Sequence, residues 1–323
     1  MDEAMTGKSD RSGERDRARR LQGLLRKYEH DVAQLPGIRA GAALECLVAQ
    51  LIDSVRRIEF VHAIRDGRHD QRRKQPGSGL FDPLRAAVLH YREGQSDEAF
   101  WLVFLATHFG KHGEDGWLLT EAVYGSLGQG ILWDWRRTSR ALPDFRAWVA
   151  ANEAVLRGGD GISRRFSNHR KYESLKAHSK KGLPTVVESY VAWVTRSGTH
   201  PGLVRELHKQ VGQNPREVFA AMYRSMDEVM RFGRLGKFDY LAMLGKLGIA
   251  PIEPNSAYLR EATGPLSGAR LLFAGDTEDA SMDSQLDSKL EGLDGYLGTG
   301  MQALEDALCN WQKSPRVYEY FKG

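Results

Sequence analysis

The feature that most constrains this chain is a helical hydrophobic period that recurs from about residue 21 onward, with no strand pattern competing against it. Leu44, Leu47, Val48, Leu51, Ile52 and Val55 step by three and four, the spacing that collects apolar side chains on one buried helix face. A dense apolar helix is expected over 98–109, where the sequence reads EAFWLVFLATHF, and aromatic-rich segments follow around Trp117, Trp133, Trp135 and Trp148. Further helices are expected over 186–195, 202–211, 215–222 and 237–248. No convincing strand pair and no internal repeat can be found. The fold class is therefore all-α.

A chain of 323 residues can form one large domain or two modest ones, and it can bury a core without disulfides or metals. Cys46 and Cys309 lie far apart in sequence. They suit burial as small apolar groups in a reducing cytosol better than a metal site or a disulfide framework. No required metal and no cofactor are expected, since no paired ligand spacing and no Walker, HExxH or dinucleotide motif occurs. The chain holds no apolar run of the roughly 18 residues that a spanning helix needs. Residues 1–20 are polar and charged, unlike a secretory leader, and are expected to form a disordered arm. A cytoplasmic location away from membranes follows, and no obligate protein partner is expected. Net charge is only +4 and the pI is near 9.0, but the basic residues are unevenly placed. The stretch 68–79 (RHDQRRKQPGSG) reads as a basic, mobile loop. Residues 157–182 are polar and strongly basic, with Arg164, Arg165, Arg170, Lys171, Lys176, Lys180 and Lys181. A basic face of this kind suits a polyanion, because neutralised phosphates release their counterions.

The most informative stretch runs from Tyr258 to Gly298. Two short helices, over 257–262 and 269–273, are expected to flank a turn made by Gly264, Pro265, Leu266, Ser267 and Gly268. Glycine permits a sharp reversal there, and Leu266 can pin the turn to the core. The amides that lead into the second helix would then suit a phosphate oxygen, with Arg270 adding charge beside them. A plain helical corner remains the alternative. Asp283 lies 15 residues beyond Gly268 and opens a run in which Leu286, Leu290, Leu293 and Leu297 form one stripe. Asp283 could also serve as a helix N-cap.

This pattern resembles the helix-hairpin-helix DNA glycosylase superfamily. The blocks DEAFWLVFLATHFGKHG (97–113), RRFSNHRKYESL (164–175), RFGRLGKFDYLAMLGKLGI (231–249), ATGPLSGARLLFAG (262–275) and MQALEDALCNWQKSP (301–315) resemble, within that circle, the alpha-glutamyl/putrescinyl thymine pyrophosphorylase family. The resemblance implies a helix-hairpin-helix glycosylase-like fold without an iron–sulfur cluster. It would span residues 21–323 as two packed helical lobes with a cleft, the hairpin lying at 257–273. It also implies a partner, double-stranded DNA carrying modified bases, since the family is associated with hypermodified bases in phage DNA.

Under that resemblance Asp283 is the expected catalytic carboxylate, with Asp287 and Asp279 as rival assignments. It would stabilise the sugar cation left when a flipped-out base departs. No lysine follows the hairpin to act as a Schiff-base nucleophile, and Arg270 cannot do so because it stays protonated. The expected activity is thus a monofunctional DNA N-glycosylase that removes a hypermodified pyrimidine, such as glucosylated 5-hydroxymethylcytosine, from phage DNA as antiviral defence. DNA contacts are expected from Gly264, Leu266, Ser267, Gly268 and Arg270, and from Arg164, Arg165, Arg170 and Lys171. A base pocket is expected from His108, Lys111 and His112 with Asn168, His169 and Tyr172, a mixture suited to phosphate contact and base stacking. Each group has a plainer reading, as a helix C-terminus or a solvated loop. Asp53, Arg56 and Arg57 sit where a wedge segment would by analogy, and Glu305 with Asp306 could form a paired acid site or ordinary helix surface.

Two other functions fit the same residues. A pyrophosphorylase-like transferase would replace a pyrophosphate on 5-hydroxymethyluracil in DNA with an amine or amino acid and leave the glycosidic bond intact. A non-catalytic DNA-binding protein would use the hairpin alone, and in it Asp283 could be replaced without loss.

Overall fold

The computed structural model describes residues 3–321. Among these residues the chain is all-α: no strand forms, and two isolated bridges, His112 with Gly116 and Ser174 with Gly182, are the nearest approach to one. The first helices are α1 (Glu3–Asp31), α2 (Gly41–Asp66), α3 (Pro83–Arg92), α4 (Ser96–Phe109), α5 (Leu118–Tyr124), α6 (Trp135–Arg140) and α7 (Leu142–Leu156). After an irregular stretch come α8 (Leu183–Thr195), α9 (His200–Val211), α10 (Pro215–Ser225), α11 (Arg234–Lys246), α12 (Gly264–Ala274), α13 (Leu286–Leu297) and α14 (Met301–Trp311). Of the expected disordered arm, the first two residues lie outside the described residues, and from Glu3 onward the stretch belongs to α1. The expected basic loop at 68–79 contains a 3-10 turn, Gln71–Lys74, which Asp70 caps by accepting the Arg72 N–H at 2.9 Å.

The chain divides into two compact units, one made of Met1–Phe60 with Pro254–Gly323 and the other of Val61–Glu253. In the first, Leu21, Leu25 and Tyr28 of α1 are buried together with Leu44, Leu47, Val48, Leu51 and Ile52 of α2. These are the positions that the three-and-four spacing singles out, apart from Val55, which stays partly exposed. Leu286, Leu290, Leu293 and Leu297 of α13 and Leu304, Leu308 and Trp311 of α14 complete the same core. Each such side chain contributes about 1.5–3 kcal/mol through its removal from water. Cys46 is buried in this core and Cys309 only half-buried.

The stretch expected to turn at 264–268 is instead the first turn of a continuous helix. Pro265 occupies its opening positions, where the missing N–H costs nothing, and the Ser267 N–H already donates to the Thr263 carbonyl at 3.0 Å. The chain changes direction earlier, through left-handed Tyr258, a short 3-10 turn at Leu259–Glu261 and extended Ala262. Close helix packing, and not backbone freedom, explains the two glycines. A Cβ at Gly268 would stand 2.3 Å from the Leu308 carbonyl oxygen, and one at Gly264 would stand 2.7 Å from Cys309 Sγ. The two lie four residues apart, on one face of α12, which lets α14 approach closely.

The second unit is organised around α4. Every residue from Ala99 to Ala106 is buried, as befits a helix that is apolar all round. Aromatic rings pack along it. Phe104 stacks on Tyr190 at 3.8 Å between ring centres and on Phe232 at 4.9 Å. The Trp101 indole N–H donates to the Trp133 carbonyl at 2.8 Å, so the one polar atom of this buried ring is satisfied.

Candidate functional site

At the C-terminal end of α4 the chain enters a turn in which His112 and Gly116 exchange backbone hydrogen bonds, both at 2.9 Å. Beside it runs the basic stretch 157–182, which stays irregular apart from a 3-10 turn at Asn168–Arg170. The Ser167 N–H donates to the Phe109 carbonyl at 2.9 Å, which ties this stretch to the helix end. Between them lies a cleft of about 530 Å³. Of the residues expected to matter, His112, Arg164, Arg165, Asn168 and Lys171 line it, and Arg157, Phe166 and Lys176 join them.

The cations of this cleft are not equivalent. Arg164 is almost covered and pairs with Asp160 at 2.7 Å. Arg165 places its fork on Asp115 at 2.7 and 2.9 Å and reaches Glu114 at 2.6 Å. That guanidinium holds the Asp115 carboxyl well below the usual carboxylate range. Lys171 and Lys176 are exposed and have no carboxylate partner among the described residues. They are the cations left to meet an anion, while Arg164 and Arg165 shape the wall. His112 accepts the Asp115 N–H on Nδ1 at 3.1 Å.

Other expected site residues fall elsewhere. Arg170 is buried and paired with Asp239 at 2.9 Å, so its charge braces α11 and does not face solvent. His108 is fully enclosed, its ring nearly parallel to those of Phe104 and Phe232 at 6.1 and 6.2 Å between ring centres. Burial, with the charges of Arg170 and Arg231 nearby, pushes its pKa down to about 3, so the ring is neutral near pH 7. Lys111 and His169 are exposed, and Tyr172 is 79% exposed with Lys171 above its ring.

In the other unit Arg270 donates to both oxygens of Asp283, at 2.8 and 2.5 Å, and holds its pKa below the usual range. The two residues expected to act on sugar and phosphate thus neutralise each other. Asp287 accepts from Ser256 Oγ at 2.6 Å and from the Leu259 N–H at 3.3 Å, fixing the approach to the 3-10 turn. Asp279 accepts the Ser281 N–H at 2.9 Å. Leu266 packs partly buried against the core. Asp53 accepts the Tyr318 hydroxyl at 2.6 Å, and Arg57 pairs with Asp306 at 2.6 Å.

A second group was not legible as a site in the sequence. Asp97 and Glu98 open α4, where acids are ordinary. Glu98, however, accepts the Tyr124 hydroxyl and the Trp135 N–H, each at 2.8 Å, and burial pushes its pKa up to about 7. Asp97 accepts both the backbone N–H and Nδ1–H of His200, at 2.8 and 2.7 Å. Burial alone would raise the Asp97 pKa, yet these bonds hold it down. Burial also lowers the His200 pKa. The neutral ring therefore donates through Nδ1 and accepts the Tyr190 hydroxyl on Nε2 at 2.7 Å, and Tyr190 in turn meets Tyr240 at 2.8 Å. The one available signal was an acidic pair placed directly before a helix with no other polar face.

Among the described residues no three His, Cys, Asp or Glu side chains converge as metal ligands, and no helix is long and apolar enough to cross a membrane. No curated protein and no solved structure matches the chain. A family model described as alpha-glutamyl/putrescinyl thymine pyrophosphorylase clade 3 matches residues 42–323. That description names a pyrophosphorylase, which overturns the expected monofunctional, hydrolytic DNA N-glycosylase. With the match covering most of its length, the chain belongs to the alpha-glutamyl/putrescinyl thymine pyrophosphorylase family.

Proposed function

We propose that this protein is a DNA-modifying transferase that replaces the pyrophosphate on a pyrophosphorylated 5-hydroxymethyluracil with an amine. The family description supports the reaction class and the thymine-type product. The observation that carries the DNA part is the cleft at the end of α4, where Lys171 and Lys176 stand exposed beside the already neutralised Arg164 and Arg165. Two unpartnered ammonium groups beside an exposed Tyr172 ring suit a backbone phosphate and an unstacked base.

The chemistry is a displacement at the exocyclic methylene carbon of the base. The amine nitrogen forms a bond to that carbon, and the carbon–oxygen bond breaks with its electron pair leaving on pyrophosphate. One N–H proton passes to a base, and the glycosidic bond is untouched. The test is to incubate the protein with DNA carrying pyrophosphorylated 5-hydroxymethyluracil, adding putrescine or glutamate. Released pyrophosphate and the digested nucleosides are then measured by mass spectrometry. An amine-bearing thymidine with stoichiometric pyrophosphate is the expected result. Abasic DNA, or pyrophosphorylated bases that survive both amines, would overturn the reading.

A further inference from the structure

At the opposite end of α4 from the basic cleft, Asp97 and Glu98 line a second and larger cleft of about 920 Å³. Glu98 and His112 stand near opposite ends of the helix, so about 16 Å of rise separates the two places. One small reacting group cannot occupy both. The second cleft is walled by α6, the loop before α9, and α9 itself, which bring Arg136, Arg140 and Arg205 to its rim. All three arginines are exposed and have no carboxylate partner among the described residues. A volume of this order accommodates a nucleobase with its substituent.

We propose that this second cleft is the chemical site, that Arg136, Arg140 and Arg205 hold the pyrophosphate of the modified base, and that Glu98 takes the proton from the attacking amine. The inference rests on the transferase reading above and adds to it a location and the residues. Guanidinium forks bind the oxygens of a diphosphate in pairs and offset the charge that develops on the leaving group. As the nitrogen–carbon bond forms and pyrophosphate departs with the carbon–oxygen electron pair, the nitrogen becomes cationic. The Glu98 carboxylate accepts one of its protons, leaving a neutral secondary amine.

Three features suit Glu98 to that role. Its two partners are neutral donors, Tyr124 Oη and the Trp135 N–H, so its charge is not already compensated by a cation. The groups that face it are Tyr124 from α5, Asp134 just before α6 and Asp97 on its own helix. Around the cleft stand the three arginines and His90. Burial and the two neighbouring carboxylates raise its pKa to about 7, where a general base exchanges protons readily at neutral pH. Asp97, His200, Tyr190 and Tyr240 form a directional chain that joins α4, α8, α9 and α11 next to Glu98 in sequence. They are positioning residues.

Inorganic pyrophosphate titrated into the full chain by calorimetry tests the site without DNA. The combined change Arg136→Ala, Arg140→Ala and Arg205→Ala is expected to weaken its binding about tenfold or more. Lys171→Ala with Lys176→Ala is expected to leave that affinity within about twofold, since those lysines belong to the other cleft. In the coupled assay Glu98→Gln is expected to retain pyrophosphate binding and lose turnover. Tyr124→Phe removes a donor to the charged carboxylate and is expected to move the acid limb of the kcat profile to higher pH. Pyrophosphate affinity that follows the lysines and not the arginines would overturn the site and leave the transferase reading standing. Arginine-dependent pyrophosphate binding with no transfer to DNA under any amine would overturn the reaction and leave the site standing. Full turnover in Glu98→Gln would remove Glu98 from the mechanism.

Discussion

Asp283 and Glu98 are both carboxylates at the head of a helical segment, and their surroundings give them opposite chemistry. Asp283 is gripped through both oxygens by Arg270, so its charge is compensated and its pKa is lowered. Glu98 is held by a phenol and a backbone N–H, with no cation on it, and its pKa is raised to about 7. A carboxylate clamped in an ion pair resists protonation near neutrality, whereas one held by neutral donors and desolvated can gain and lose a proton there. The surroundings of Asp283 and Gly268 are therefore those of a packing and anchoring element, and the surroundings of Glu98 are those of an acid–base group.

The sharpest way to break this contrast is to neutralise each carboxylate in turn. Glu98→Gln is expected to reduce amine transfer by about 10²–10⁴, the usual contribution of a general base. Asp283→Asn is expected to change the rate by no more than about threefold while lowering Tm slightly, because Arg270 loses its partner. Single-turnover rates on pyrophosphorylated DNA read both effects, and a reversed order would place the chemistry in the other unit. The next largest effect concerns α12. Gly268→Ala drives a methyl into the Leu308 carbonyl and is expected to cost about 1–3 kcal/mol. Gly264→Ala meets only the end of a cysteine side chain and should cost less. Thermal unfolding of the two variants checks the order, and equal tolerance of both would restore the reading of 264–268 as a free turn.

A smaller effect separates cations that bind DNA from those that brace the fold. Lys171→Ala and Lys176→Ala are each expected to reduce the salt slope of DNA binding by about 1 without affecting Tm. Arg170→Ala should instead lower Tm, since its guanidinium is buried against Asp239. Fluorescence anisotropy across a salt series, set beside melting curves, distinguishes the two classes. A reduced salt slope for Arg170→Ala at unchanged Tm would contradict its assignment as a brace.

The helices were legible because periodicity is a local property. The run over 98–109 and the leucines of α13 are buried as their spacing implies, and the helices expected over 186–195, 202–211, 215–222 and 237–248 form within a few residues of their expected ends. The site was legible only where charge accumulates along the sequence. The basic stretch 157–182 stands out as a string, and six of the residues singled out there or at the end of α4 line one cleft. Which of its cations are spent depends on Asp115, Asp160 and Asp239, whose approach is set by tertiary packing. Gly264 and Gly268 carried a turn signature, but the neighbour that requires them, α14, lies at least forty residues away. Glu98 was the least legible, because an acid in a first helical turn is common and its raised pKa arises from burial by tertiary packing, with Asp134 adding to it against the lowering hydrogen bonds from Tyr124 and Trp135, all distant in sequence.

The same raised pKa gives a further expected effect, a dependence of stability on pH. For a carboxyl whose folded pKa lies above its unfolded value of 4.5, the folded state binds the proton more tightly. The stabilising contribution of the protonated form is then complete below about 4.5 and lost as pH rises through about 7. Asp283, with a lowered pKa, acts in the opposite sense, and its contribution is lost only as pH falls below the ordinary carboxylate range. Wild-type protein is therefore expected to lose stability between about pH 4.5 and 7 relative to Glu98→Gln, which cannot titrate. Asp283→Asn should leave that window unchanged and flatten the curve only at more acid pH. Chemical denaturation at several pH values measures both differences. A Glu98→Gln curve parallel to wild type through the neutral window would mean that Glu98 is charged and compensated like Asp283, and the contrast between the two carboxylates would disappear.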